Sequence, residues 1–304
     1  MAHPATTAVV PHQQSRFRNA ARRFLAVATR PATVAAIVRR ITETGAVPAG
    51  VWSRLPVHRP FRIRVEGQIG FDYAPVPNDQ IGRMLYWRGF SAWEPGTTGT
   101  FISLVRRART ILDIGANTGV YSLLAASVNP AAHVHAFEPV PRIFELLRRN
   151  VEINHLESRV TLHSEAVADA AGNTSFHVPQ DDVPTSASLN PSGFRNVAGT
   201  LITVPVTTLD ALFCDDETVD LAKIDVEGFE DKVLTGMRSL LARMKPTLLV
   251  ECNPDGPYRE VEAILRPFGY RFFHLGKNGP MAVESIVPDA TGEDKNFLCV
   301  AREL

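Results

Sequence analysis

The sequence predicts an open α/β fold: a mostly parallel sheet with helices on both faces, preceded by a helical extension. Three observations carry that expectation. From Thr110 onward, short apolar runs of strand length alternate with stretches of helical periodicity. The first of these runs ends in Asp113-Ile114-Gly115-Ala116-Asn117-Thr118-Gly119, a glycine-punctuated turn that opens onto another apolar stretch. The chain has 304 residues, 45% apolar and 21% charged, enough for one large α/β domain with an extension.

Taken in order, residues 1–15 are small and polar with two prolines and predict no element. Residues 16–44 predict two short helices broken near Arg30-Pro31. Phe17, Ala21, Phe24 and Leu25 form one apolar stripe, and Val34, Ile37, Val38 and Ile41 the other. Residues 46–60 are a Pro-rich connector, and Phe61–Val65 alternates as a half-buried strand does. Residues 81–105 hold aromatics and a break at Glu94-Pro95-Gly96, placed to cover a ligand. Strands are then expected at 110–114, 133–137, 159–163, 220–224, 246–251, 270–275 and 296–301. Helices are expected at 118–128, 141–153, 230–243 and 258–267. Pro141 suits the first position of the second of these, whose stripe is Ile143, Leu147 and Val151. Residues 172–208 interrupt the alternation as a hairpin-like insertion with a polar loop at 180–200. The organisation expected is an extension (1–60), a cap (61–109) and a core domain (110–304).

The net charge of zero gives no footprint of a nucleic-acid binder. It hides an asymmetry: residues 1–42 hold seven arginines and no Lys, Asp or Glu. A basic segment of this kind is a solvated arm or touches a membrane surface or a partner. Three scattered cysteines without a C-x-x-C pair fit a reducing, cytoplasmic setting and neither a disulfide framework nor a zinc site. No apolar run is long enough to span a bilayer, and no secretory leader is expected.

The glycines of the turn let backbone N–H groups approach a ligand at a helix N-terminus. Nineteen residues past Gly119, Glu138 ends the second strand of the core, where an acid accepts hydrogen bonds from ribose hydroxyls. A dinucleotide site wants glycine where Asn117 stands, which opposes an NAD-dependent oxidoreductase. No G-K-[ST] follows, so a P-loop is excluded.

Four blocks, Ile111–Gly119, Phe137-Glu138-Pro139, Val206–Asp210 and Asp220–Glu230, together resemble class I S-adenosylmethionine-dependent methyltransferases, and more narrowly the FkbM type. The resemblance covers about residues 80–301 and implies a Rossmann-like, seven-stranded, mostly parallel methyltransferase sheet. It implies that Asp113, Gly115 and Asn117 cradle the methionine end of the cofactor, with Gly119 counted among the cofactor-binding residues. Glu138 would take the ribose, Glu165 and Ala166 would lie along the adenine, and Asp225 would stand near the sulfonium.

Methyl transfer is an in-line displacement governed by positioning, with a base or metal needed to take a hydroxyl proton. Lys223, Asp225 and Glu227 are the candidate catalytic residues, with Glu230 as a helix cap. His163, His177 and His274 are alternative bases, and Tyr86, Trp87 and Trp93 candidate acceptor-pocket residues. Asp225, Glu251 and Asn253, at adjacent strand tips, are the set that would hold Mg²⁺ if a metal took part. The family is not defined by such a site and none is expected. The resemblance implies O-methylation of a hydroxyl on a sugar, glycan or natural product. The alternatives are N-methylation of a small molecule and a non-catalytic binding protein on the cofactor fold.

Overall fold

The computed structural model describes Thr29 and residues 32–179, 199–213, 217–291 and 294–301. The first helix expected in the extension and almost all of the 180–200 loop lie outside these residues.

The core strands form where consecutive apolar residues meet both faces of one sheet. They are β3 (Thr110–Ile114), β4 (His133–Phe137), β5 (Val160–His163), β9 (Leu221–Ile224), β10 (Thr247–Glu251), β11 (Arg271–Gly276), β12 (Gly279–Val283) and β13 (Asn296–Val300), following the β1, β2 and β6–β8 strands described below. The sheet order is β12-β11-β13-β10-β9-β3-β4-β5. β10, β9, β3, β4 and β5 pair in parallel, whereas β13 pairs antiparallel with both β10 and β11. Among the described residues this sheet has eight strands, not seven: β11 turns at Gly279 (φ 95°) into β12, an exposed edge strand without an apolar pattern.

Alternate residues of one strand serve different cores. Ile111 packs with Val134, Leu123 and Leu147 on one face, and Leu112 and Ile114 pack with Leu234, Leu240 and Val261 on the other. Helices α5 (Val120–Val128) and α6 (Pro141–Ile153) cover the first face. α8 (Glu230–Thr235), α9 (Arg238–Met244) and α10 (Tyr258–Leu265) cover the second. The single helix expected at 230–243 is two, because the chain turns at Gly236, where a Cβ would lie 2.0 Å from the Ala168 carbonyl oxygen. Residues 208–210 contribute to the same face. Thr208 caps the short helix α7 (Leu209–Leu212), and the Asp210 carboxylate accepts from Ser239 and Leu240 N–H, both at 2.9 Å, at the start of α9.

The insertion is a hairpin, as its alternation predicts. β7 (Gly172–Pro179) pairs antiparallel with β8 (Gly199–Thr207), which also runs parallel to β6 (Ala166–Val167). Before the core, β1 (Phe61–Glu66) and β2 (Ile69–Tyr73) form a second hairpin. Buried Asn150 on α6 and half-buried Asn154 just past its end hold the hairpin, accepting from Ala74 N–H at 2.9 Å and Asp72 N–H at 2.7 Å. The extension supplies α1 (Ala32–Glu43) and α2 (Ala49–Trp52), and α3 (Gln80–Trp87) and α4 (Pro95–Val105) follow the hairpin. Trp87 is buried with its Nε1 donating to Leu55 O, so it is core, as is Tyr86 packed against it.

Candidate functional site

β3 is the point at which the sheet order reverses. The chain goes on to β4 and β5 on one side, while β9 and β10 lie on the other. Loops leaving the strand ends diverge there and open a crevice. A cavity of about 240 Å³ occupies it. Of the eight residues assigned to cofactor binding from the sequence, seven line it: Asp113, Gly115, Asn117, Glu138, Glu165, Ala166 and Asp225. Gly119 does not. With φ 90° it caps α5, and a Cβ there would meet Leu147 Cδ1 at 2.5 Å, so its part is to let the helix start and pack.

The turn between β3 and α5 is stretched over the end of β4. Gly115 and Ala116 N–H both donate to Phe137 O, at 3.0 and 2.9 Å. Gly115 (φ 81°) runs so close to β9 that a Cβ would lie 1.9 Å from the Asp225 carbonyl oxygen. Thr118 is gripped from beneath by Tyr73 Oη at 3.0 Å and Asn150 Nδ2 at 2.9 Å. Buried Glu138 accepts Asn117 N–H at 3.1 Å and Val140 N–H at 2.8 Å, which fixes its carboxylate against the turn. Burial nevertheless pushes its pKa up to about 7. Asp113 takes Ser122 Oγ on Oδ2 at 2.6 Å, while its buried Oδ1 has no hydrogen-bond partner among the described residues. Burial raises this carboxyl as well.

The second half of the cavity is a network of acids and ammonium groups. Lys223 on β9 and Asp225 just past its end lie together, and Lys223 Nζ reaches Asp225 Oδ2 at 2.7 Å while lying 4.5 Å above the Tyr121 ring. Tyr121 Oη donates to Glu94 Oε2 at 2.6 Å, and Asn296 Nδ2 approaches the same oxygen at 3.4 Å. Lys295 forms an ion pair with Glu251. Asp225, Glu227 and Glu251 bring carboxylate oxygens within 4.8 Å of one another. Asn253 lies beside them, its Nδ2 donating to Glu227 and Glu251 at 3.3 Å each. A divalent ion here would draw on Asp225, Glu227 and Glu251, with Asn253 alongside, and it would share the carboxylates with two ammonium groups already paired to them.

These neighbours separate the acidities. Burial acts against the charge of Asp225, but the Lys223 ammonium beside it wins and holds the carboxyl below its ordinary value. Burial and the charge of Asp225 push Glu227 up to about 7 and Glu251 well above the usual carboxylate range. Glu227 stands at φ 53°, a left-handed backbone held at the tip of the loop after β9. Glu230 turns away from the cavity, accepting Gly228 N–H at 3.0 Å, as a first-turn helix acid does. The three alternative base histidines do not line the cavity. His163 stacks on Phe137 and His274 pairs with Asp294 O at 2.8 Å.

Trp93 and Glu94, from the aromatic segment, do line it, as do Lys295 and Asn296. Glu94, Lys295 and Asn296 have no motif of their own. Glu94-Pro95-Gly96 reads only as a break, and Lys295 and Asn296 reach the site because β13 inserts next to β10.

Residues 113–272 match the family described as the methyltransferase FkbM domain, just over half of the chain. The chain belongs to the FkbM methyltransferase family. It is accordingly an S-adenosylmethionine-dependent methyltransferase. Methyltransferase sdnD of Sordaria araneosa is 27% identical over 190 residues, 53% of this chain and 73% of that protein. The 31-O-demethyl-FK506 methyltransferase FkbM of Streptomyces tacrolimicus is 28% identical over 195 residues, covering 55% and 74%. The 2-O-methyltransferase NoeI of Sinorhizobium fredii is 28% identical over 149 residues, covering 44% and 60%. In this FkbM-family enzyme, the matched span contains the glycine turn, Glu138 and the Lys223–Glu227 segment, but not Trp93, Glu94, Lys295 or Asn296.

Proposed function

We propose that this FkbM-family enzyme methylates a hydroxyl on a sugar, glycan or polyketide-type natural product, with Glu227 as the base. The observation that carries the reading is the placement of three acids and two lysines in the same cavity as the glycine turn and Glu138. Two of the relatives bear names that specify oxygen acceptors, which supports the same chemistry.

The cavity residues fit the cofactor. Asp113 Oδ1, buried and without a donor among the described residues, suits an ammonium group. The Gly115 turn leaves no room for a side chain, and Glu138 retains free lone pairs for ribose hydroxyls. Glu165 and Ala166 flank the remaining wall, where the adenine ring would lie. When bound, S-adenosylmethionine supplies a methyl group already activated on a sulfonium.

The protein's part is to orient the acceptor, exclude water and receive one proton. Asp225 is poorly suited to that last task, because the Lys223 ammonium stabilises its charge. Glu227 carries a pKa near neutrality in the same cavity, the range in which a base is most effective. Lys223 and Lys295 keep the acid cluster close to neutral and hold Asp225 and Glu251 in place. No step requires a metal in this reading.

Calorimetry with S-adenosylhomocysteine and turnover on a panel of glycan and macrolide hydroxyls test the proposal. Glu227→Gln should lower turnover by about 10²- to 10⁴-fold with little change in S-adenosylhomocysteine affinity. Failure of S-adenosylhomocysteine to bind would remove the cofactor assignment, and full turnover in Glu227→Gln would remove the base.

A further inference from the structure

Helix α1 has two apolar faces where a peripheral helix needs one. Ala35 and half-buried Val38 pack against Trp52, Leu55 and Trp87, and this contact fixes the helix to the domain. Val34, Ile37 and Ile41, spaced i, i+3 and i+7, form a second stripe that faces outward, 38%, 62% and 51% exposed. Val51 on α2 adds a fourth side chain at 44%. These four are a majority of the seven exposed large apolar side chains among the described residues. The stripe read from the sequence as one face is thus divided, with only Val38 turned inward. Arg40 is exposed beside the outward stripe, within a stretch of 42 residues that contains seven arginines and no acid.

Charge decides what covers such a face. Arg39 is paired with Glu43 at 2.7 Å, which leaves Arg40 as the exposed charge, and residues 1–28 hold four more arginines, like in charge to it. A second copy arranged about a two-fold axis would set Arg40 against its own counterpart. An anionic lipid surface accepts the apolar side chains at the acyl boundary and meets the guanidinium groups with its headgroups. We propose that α1 docks this enzyme in the plane of an anionic bilayer surface, lying on the membrane without crossing it. Among the described residues no helix is long and apolar enough to cross one. Trp87, the anchor of α1, ends α3, and α3 also supplies Ile81 to the cavity wall. The membrane face and the cofactor crevice are therefore one helix apart.

The experiment is sedimentation of the full chain with phosphatidylcholine vesicles and with vesicles containing phosphatidylglycerol, at low and high salt. The protein should sediment with the anionic vesicles only, and less so at high salt. Ile37→Glu combined with Ile41→Glu should weaken that binding by about tenfold or more. The melting temperature and S-adenosylhomocysteine affinity of the double variant should stay at wild-type values, since both side chains are exposed. Three results would overturn the proposal. These are no sedimentation with anionic vesicles, unchanged binding by the double variant, and a loss of melting temperature or of a concentration-dependent dimer in that variant. The last would show that the chain itself covers the stripe. S-adenosylhomocysteine affinity reports separately on the methyltransferase site.

Discussion

Glu138→Gln is nearly isosteric, yet the structure makes it a severe change. Each carboxylate oxygen accepts a backbone N–H, Val140 on Oε1 and Asn117 on Oε2. A glutamine offers one oxygen and one NH₂, so in either orientation an N–H faces an N–H. The orphaned buried donor costs about 1–3 kcal/mol, and in one orientation it belongs to the glycine turn. A ribose hydroxyl also loses an ionised acceptor in exchange for a neutral one, a difference of about 1–1.5 kcal/mol and hence about 5- to 10-fold in S-adenosylhomocysteine affinity. A pH signature accompanies it. Because the Glu138 pKa is about 7 in the free protein, a proton must leave for both oxygens to accept hydroxyls. Wild-type affinity should rise with pH toward about 7 and then level, while Glu138→Gln should be flat. The stability of the cofactor-free protein has the opposite sign. The unfolded chain ionises near 4.5 and the folded one near 7, so stability falls as pH rises between them, by up to about 1.4 kcal/mol per unit for this group. Calorimetry and thermal melts from about pH 5 to about pH 8.5 cover both effects. Wild-type affinity in Glu138→Gln, with the same pH profile, would refute the ribose assignment.

Other perturbations address separate parts of the site. Gly115→Ala places a Cβ 1.9 Å from the Asp225 carbonyl oxygen at φ 81° and should reduce S-adenosylhomocysteine affinity by about 100-fold or more, measured by calorimetry. Asp210→Ala removes two N–H acceptors at the start of α9 and should lower stability by about 1–2 kcal/mol in urea, with cofactor affinity preserved. Wild-type turnover should persist in excess EDTA, because ammonium groups already neutralise the acid cluster. Lys295→Met should create measurable Mn²⁺ binding by electron paramagnetic resonance, and strong Mn²⁺ binding by the wild type would contradict the metal-free reading.

The core was readable because its code is local. The strands of the parallel sheet are short apolar runs, and α6 begins at Pro141 and ends at Ile153, as its periodicity and its proline predict. The glycine turn and Glu138 could be found because close approach demands particular residues at particular spacings. Where sequence reading went astray, the information was tertiary. The break between α8 and α9 arises from contact with Ala168 and leaves the apolar period of 230–243 undisturbed. β12 is an edge strand whose outward residues need no alternation. Glu94 and Lys295 gain their meaning from Tyr121 and Glu251, partners 27 and 44 positions away that no local pattern announces. His163 and His274 drew attention by residue type alone, and the structure sets one on the Phe137 ring and the other against the Asp294 carbonyl, outside the cavity lining.

The cavity wall also straddles the boundary of the family match. Its floor, from Asp113 through Asp225 to Glu251, lies inside the span that defines the family, whereas Ile81, Trp93, Glu94, Lys295 and Asn296 lie outside it. On the proposed reading the cofactor lies on the matched floor, Glu227 meets the acceptor from within that span, and the flanking residues complete the acceptor's side of the wall. That reading predicts that exchanging the 80–96 segment and the approach to β13 changes which acceptor is used while S-adenosylhomocysteine affinity, measured by calorimetry, is kept.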